Sequence, residues 1–408
     1  MEIEKASILI GVQNTSRAAE KRRKVLAFIR EKGEISRGDL AAAFSLDKKT
    51  VSNLVEELFA ESLIASAGFR DSSAGRRQEL LTLNGAHSNF IGIDLGGTHI
   101  IGVLTDLNCS LLDRVFFEIR PGLPVEIILD QMKAICRKLT TSETATAPVR
   151  CIGICAPGFI NAATGTSIMA ENIPGWQDVH LREIFEKEFD RPVRIEDSSR
   201  ASALAEKWLG EGRGRADCMI ADLGYGIGMA IIVNGLLLRG AGNKAGEIGH
   251  TIVVPDGPPC TCGNFGCLEA VASGRAIARD AAAAIEAGRA ELLKGLTHGR
   301  AESVTAQDVA IAASMGDPFA TDLLRSAGEC AGRALANAVN IVNPSILILG
   351  GGLIGTNRII EESVARSLAA HCMRGIFEDL ELRVSKLGID GSALGCSILA
   401  AAEVLGPA

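Results

Sequence analysis

The sequence predicts an α/β chain in two parts: a small, mainly helical head over residues 1–85 and a large two-lobed body after a short link near 85–88. Three observations carry that prediction. Helix-periodic segments with polar caps crowd the start of the chain. Three glycine-rich turns in the body, at 94–98, 222–228 and 350–352, each follow an apolar strand. The length of 408 residues is enough for two to three domains.

Charge is unevenly spread. The net charge is −7, yet residues 1–85 carry 14 Lys and Arg against 12 Asp and Glu, while the remainder carries 28 against 37. A slightly basic head on an acidic body permits contact between the head and nucleic acid. The N-terminus MEIEKASILIGVQN lacks the basic-then-apolar pattern of a signal peptide. No apolar run reads as approaching the roughly 18 residues of a membrane span. Eleven cysteines without a secretion signal imply reduced thiols and a cytoplasmic protein. Eight of them (Cys109, Cys136, Cys151, Cys155, Cys218, Cys330, Cys372, Cys396) are scattered and read as small buried residues.

In the head, RRKVLAFIREKG (22–33) reads as a helix closed by Gly33. ISRGDLAAAF (35–44) reads as a second, with Ser36 as N-cap and Asp39 completing a capping box. KKTVSNLVEELFAESLI (48–64), capped by Asp47, gives a third whose stripe is Val51, Leu54, Val55 and Leu58. Helix, helix, short turn, helix is the helix-turn-helix plan. Residues 63–84 then read as two short strands around a Ser- and Gly-rich turn, a β-wing. Lys48 and Lys49 suit phosphates, and Thr50, Ser52 and Asn53 suit phosphates or base edges. Arg70, Arg76 and Arg77 lie on or beside the wing turn. The alternative is a three-helix interaction module with a solvated basic face.

In the body, NFIGIDLGGTHIIGVLTDLN (89–108) places Asp94, Gly96, Gly97 and Thr98 between two apolar strands. CMIADLGYGIGMAIIVNGLLLRG (218–240) repeats the design with Asp222, Gly224, Gly226 and Gly228. Such glycines let backbone N–H groups approach phosphate oxygens, and the acids suit a hydrated metal ion. With ILILGGGLIG (346–355) as a third turn, the set resembles the nucleotide cleft of the actin-like ATPase and sugar-kinase fold. GHTIVVPDGPPCTCGNFGCLE (249–269) gathers His250, Cys260, Cys262 and Cys267, one imidazole and three thiolates suited to tetrahedral Zn2+. With all four positions filled by protein, that zinc is expected to be structural.

On DLGGTHI (94–100), ENIPGW (171–176), ALAE (203–206), GEIGH (246–250), CTCGNFGCLE (260–269) and NPSILILGGG (343–352), the body resembles the repressor, open reading frame, kinase (ROK) family over essentially its whole length. The winged head resembles that of the family's regulator branch. The resemblance implies sugar-binding roles for Gly158, Asn172, Glu247, His250 and Glu269, with His250 also a zinc ligand. It implies lobes at about 89–198 and 199–388, with the zinc loop 249–269 in the second and a C-terminal helix near 389–408 returning to the first.

The family's kinases carry Glu-Asn-Asp-Ala-Asn before the Ala-Leu-Ala-Glu helix, the Asp being the base for the attacking sugar hydroxyl. In register with ALAE, this chain has Glu196, Asp197, Ser198, Ser199 and Arg200. Ser198 therefore stands at the base position, a change that typically costs about 10²–10⁴-fold in rate. It leaves Ser198 as a pocket residue and the glycine turns as vestiges of a nucleotide site. Asp197, one residue early, is expected to face away, as a one-residue slip in extended chain dictates, unless a bulged junction turns it back to stand in for the base. Tyr225 stands where the kinases have a small hydroxyl residue. Arg200 either contacts a charged ligand or pairs with Glu196 or Asp197. The resemblance thus implies a non-enzymatic, sugar- or phosphosugar-responsive transcriptional regulator, most simply a repressor of carbohydrate-metabolism genes that binds double-stranded operator DNA as a homodimer or higher oligomer. An ATP-dependent sugar kinase with a regulatory head is the alternative. A third reading is a regulator that binds another protein and no sugar.

Overall fold

The structure, a computed structural model, describes residues 17–71, 77–119, 122–170, 173–355 and 358–405. The head comprises α1 (Arg17–Lys32), β1 (Ile35–Ser36), α2 (Arg37–Phe44), α3 (Lys48–Ala60), β2 (Ile64–Arg70) and β3 (Gln78–Leu83). Gly33 ends α1 with φ of 78°, a conformation that carries no penalty for glycine. Ser36 and Asp39 form the reciprocal capping box of α2, and Asp47 accepts the Thr50 N–H at 2.9 Å to cap α3. The third helix stops at Ala60, short of 64, because Ser62 adopts φ of 58° and turns the chain into β2. The strands pair in the order β1–β3–β2. The two-residue β1, opposite Leu81 and Leu80, is too short for a periodic sequence signal. Three helices and this antiparallel sheet make a winged helix-turn-helix fold.

The body repeats one plan twice. The first lobe contains β4 (Asn89–Leu95), β5 (His99–Thr105), β6 (Leu111–Glu118), α4 (Val125–Thr140), β7 (Val149–Ala156), β8 (Phe159–Asn161), β9 (Thr166–Met169), β10 (Gln177–Val179), α5 (Leu181–Phe189) and β11 (Val193–Asp197), and α6 (Ser198–Leu209) follows it. The second contains β12 (Cys218–Leu223), β13 (Ile227–Val233), β14 (Leu236–Leu237), α7 (Leu268–Ala272), α8 (Gly274–Glu286), α9 (Glu291–Leu296), α10 (Ala306–Ser314), α11 (Pro318–Val342), β15 (Ile346–Gly350), α12 (Arg358–His371), α13 (Arg374–Asp379) and β16 (Glu381–Val384), before the closing α14 (Gly391–Leu405). The main sheets run β11–β7–β4–β5–β6 and β14–β13–β12–β15–β16. In each, an antiparallel hairpin (β4/β5, β12/β13) is extended by two parallel strands. The two folded halves are topologically equivalent, and the sequence retains that relation only in the two hairpin turns. Asp94 and Asp222 are equivalent residues near the ends of β4 and β12.

The helix α14 packs on β4 and β7 and lies along α6. Its backbone approaches so closely that a side chain at Gly92 or Gly153 would collide with the Ala393 or Cys396 carbonyl. This burial explains its composition and corrects one expectation: 388–405 is long and apolar enough to cross a membrane, yet most of it is buried inside the protein. The expected boundary at 198/199 falls at the start of α6, which packs on α14 as well as on β12 and β13 and so belongs to the seam between the lobes. The link is equally structured. Gly85–His87 forms a 3₁₀ turn, and Leu26, Ile29 and Leu58 of the head share one core with Phe90, Ile101 and Leu394 of the body. Each large aliphatic buried there contributes about 1.5–3 kcal/mol, which fixes the head against the first lobe.

Candidate functional site

The strand ends of both sheets converge on a cleft between the lobes, a cavity of about 360 Å³. That is the size range of a small-molecule site. Its walls include Asp94, Gly96, Gly97 and Thr98 from the first glycine turn, Asp222, Gly224, Gly226 and Gly228 from the second, and Gly351 and Gly352 from the third. Gly158, Ser198, Glu247, His250 and Glu269 line the same cavity. The cleft thus unites every described residue assigned from sequence to sugar and nucleotide. Asn172 lies outside the described residues.

Burial raises Asp94 to about 7 and Asp222 to about 6, with Asp197 adding repulsion to both. Asp94 also accepts the Cys155 thiol at 3.1 Å. The folded chain therefore holds a proton on Asp94 that the unfolded chain, at 3.8, releases. The folded state binds more protons between these values, so stability falls as pH rises from about 4 to 7. Asp94→Asn should remove that slope, and urea unfolding across the window should show the variant gaining on the parent as pH rises. Identical pH dependence in both would contradict the assignment.

Beside the first glycine turn the cleft is occupied by an aromatic ring. The Cδ1 of Tyr225 lies 2.7 Å from where a Cβ on Gly97 would be, so the ring is seated directly on the first glycine turn. A side chain at 97 would displace the ring.

At the junction, Ser198 and Asp197 both line the cavity. This corrects the expectation for Asp197. β11 ends at Asp197, which takes the N-cap position of α6 and accepts the Arg200 N–H at 3.1 Å. A cap residue ends the strand alternation, so the one-residue rule for extended chain no longer applies. Burial raises the Asp197 carboxyl. Arg200 turns away from the cavity: its Nε donates to Glu196 Oε1 at 2.8 Å, with both side chains buried. Glu196 also receives the Asp197 N–H at 3.0 Å and the Arg239 guanidinium from the second lobe. Arg200 is thus engaged with Glu196 at the junction, and Arg239 ties the second lobe to the same carboxylate.

Glu269 is similarly engaged. Its Oε2 accepts the Ile227 N–H at 2.9 Å and its Oε1 pairs with Arg275 at 3.1 Å, which ties the end of the cysteine-rich loop to the second glycine turn. The Arg239 and Arg275 anchors carried no sequence signal, since each is an isolated arginine in a segment read for its neighbours. Gly158, with φ of 80°, brings its backbone against Met169, and any side chain there would strike that carbonyl. Burial and the nearby Asp197 raise Glu247.

The donor atoms of His250, Cys260, Cys262 and Cys267 lie within 4.8 Å of one another, a group able to hold a metal ion. Cys260 Sγ is 3.5 Å from His250 Nδ1, and Cys262 Sγ is 3.6 Å from Cys267 Sγ. A tetrahedron with metal–sulfur bonds of about 2.3 Å has edges of about 3.8 Å, so the four donors fit one small cation.

On the head, Lys48, Lys49 and Asn53 are exposed on α3, while Thr50 and Ser52 are half-buried. Thr50 Oγ1 donates to Asp47 at 2.6 Å, and Ser52 bonds Glu56 and Arg37. Arg70, at the end of β2, pairs with Asp39 at 3.0 Å and Arg77 with Asp71 at 3.3 Å, and both arginines are exposed. Arg76 lies outside the described residues.

The model of the ROK family matches residues 90–403, beginning where the body begins. A xylose repressor of Caldicellulosiruptor bescii is 31% identical over 382 residues, 93% of this chain and 95% of the repressor. A glucokinase of Halalkalibacterium halodurans is 32% identical over 310 residues, 75% of this chain and 93% of the kinase. Among solved structures, a ROK family transcriptional regulator, a homologue of the E. coli MLC protein, has a TM-score of 0.78 at 26% identity and covers 95% of this chain and 97% of that one.

Proposed function

The chain belongs to the ROK family, and from that premise we propose that it is a cytoplasmic, sugar-responsive transcriptional repressor of carbohydrate-metabolism genes. The observation that carries this reading is one molecule with two sites: a winged head sharing a core with a body whose cleft has Ser198 at the base position and Tyr225 seated on Gly97. The sugar lies between Gly158, Ser198, Glu247, His250 and Glu269, where carboxylates accept hydroxyl protons and His250 offers its remaining ring nitrogen. Pentoses of the xylose type head the effector panel, since the similar repressor is named for xylose.

Lys48, Lys49, Thr50, Ser52 and Asn53 meet the operator, with Arg70, Arg76 and Arg77 as further cations for its phosphates. Two heads of a homodimer read two half-sites. Zn2+ held by His250, Cys260, Cys262 and Cys267 fixes the segment that presents His250 and Glu269 to the sugar. The ligand works by preferring one state of the lobes. A preference of about 10-fold supplies only about 1.4 kcal/mol, so strong induction requires more.

The reading is tested by fluorescence anisotropy on DNA upstream of the protein's own and neighbouring genes, with and without sugars and phosphosugars. The same sugars incubated with ATP and Mg2+ test the kinase alternative, which the glucokinase similarity keeps in view. Turnover of about 1–100 s⁻¹, the ordinary kinase range, would replace the regulator reading with the enzymatic one.

A further inference from the structure

The helix α6 touches both functional ends of the molecule. Its first turn stands in the cleft wall through Ser198, Ser199 and Ser202. Its last turn carries Trp208, about 15 Å from Ser198 by helical rise, whose ring lies 3.2 Å beneath the guanidinium carbon of Arg30 on head helix α1. Arg213, just beyond α6, reaches back to the Glu31 carbonyl of α1 at 3.5 Å. Between these ends the helix is stiffened. The Ala201 carbonyl abuts Gly395 of α14 so closely that only glycine fits there, and Ser202 bonds Ser392 at 2.8 Å.

The joint itself is unusual. Arg30 Nε and Nη1 and Trp208 Nε1 are buried, and none has a hydrogen-bond partner. Burial pulls Arg30 down to about 10. A buried cation is normally met by an acceptor, because the desolvation it suffers is otherwise uncompensated. Here the indole face supplies the main compensation, and a cation–π contact is worth only about 2 kcal/mol even when desolvated. An apolar side chain of similar length would fill the same space without that cost. Packing alone therefore does not account for an arginine at this position.

We infer that α6 is the rod through which the cleft sets the position of the head, and that the Arg30–Trp208 stack is its joint. This rests on the regulator reading above. A sugar at Ser198 that shifts α6 moves Trp208, and α1 must follow or surrender the indole face on which the Arg30 guanidinium is stacked. Arg30 is a positioning residue in this scheme and touches neither ligand.

The test compares the full-length protein with Arg30→Met, which keeps the volume and drops the charge, and with Arg30→Lys, which keeps the charge and loses the planar stack. Sugar affinity by calorimetry and operator affinity by anisotropy are each measured alone and then together. Both variants should bind sugar and operator singly as the parent does, while the sugar-dependent loss of operator affinity shrinks by about 10-fold or more, within the usual range of coupling factors. Full coupling in both variants would overturn the relay. Amide hydrogen exchange provides an arm that needs no ligand. By reciprocity, Arg30→Met should change protection at 198–202, at the far end of the rod. Changes confined to the surroundings of residues 30 and 208 would overturn the relay even if no sugar or operator is found, an outcome that would separately refute the regulator reading.

Discussion

Replacing Glu196 with alanine is expected to destabilise the protein by about 3–5 kcal/mol, the usual consequence of removing one partner from a buried ion pair. Glu196 is 1% exposed and receives Arg200, Arg239 and the Asp197 N–H. Its loss leaves the buried Arg200 guanidinium without the carboxylate it bonds and cuts the tie from the second lobe to the strand–helix junction. The double variant Glu196→Ala/Arg200→Met should recover much of the loss, because the cost lies in the orphaned charge. Urea unfolding of both variants checks this. A single variant within about 1 kcal/mol of the parent, the range of exposed pairs, would show that the triad is not the clasp described.

Removal of the zinc proposed for the His/Cys cluster should have the second large effect. The cluster His250, Cys260, Cys262 and Cys267 ties together a loop rich in glycine and proline. Without a cation, burial pushes Cys267 up to about 12, so its thiol stays protonated at neutral pH. Structural zinc in small sites contributes on the order of 10 kcal/mol to local folding. Chelation, or Cys267→Ser, should therefore loosen 249–269, release Glu269 from the Ile227 N–H, and weaken sugar binding by about 100-fold or more. Operator affinity without sugar should stay near the parent value, because the head's core contains no residue of this loop. Calorimetry and anisotropy on protein whose zinc content has been measured decide the matter. A sugar response that survives complete zinc loss would contradict the role given to the loop.

Much of the fold was legible because it is written locally. Gly33, Ser36 with Asp39, and Asp47 mark helix ends by backbone chemistry that needs no tertiary context, and each acts as its type dictates. The glycine turns were legible for the same reason, and so was the His/Cys cluster, whose four ligands fall within one short loop. What stayed hidden depends on distant chain. β1 is two residues long and exists only because β3 lies beside it. The equivalence of the two lobes survives in topology while the sequences have diverged. Asp197 reaches the cleft because the junction leaves strand geometry at a helix cap, which the rule for extended chain does not cover. Arg70 and Arg239 find acids far away in sequence, and nothing near them indicates which. The shared core of head and body was hidden because hydrophobic periodicity shows that a face is buried without naming what covers it.

The most direct measurement is operator anisotropy with the pentose, hexose and phosphosugar panel at fixed salt, since phosphate contacts make affinity salt-dependent. The account predicts tight, salt-sensitive binding to DNA upstream of the protein's own or neighbouring genes, weakened by one sugar and indifferent to ATP. Binding that no sugar alters, together with ATP-dependent phosphorylation of a member of the panel, would contradict it and identify the protein as a kinase carrying a winged head.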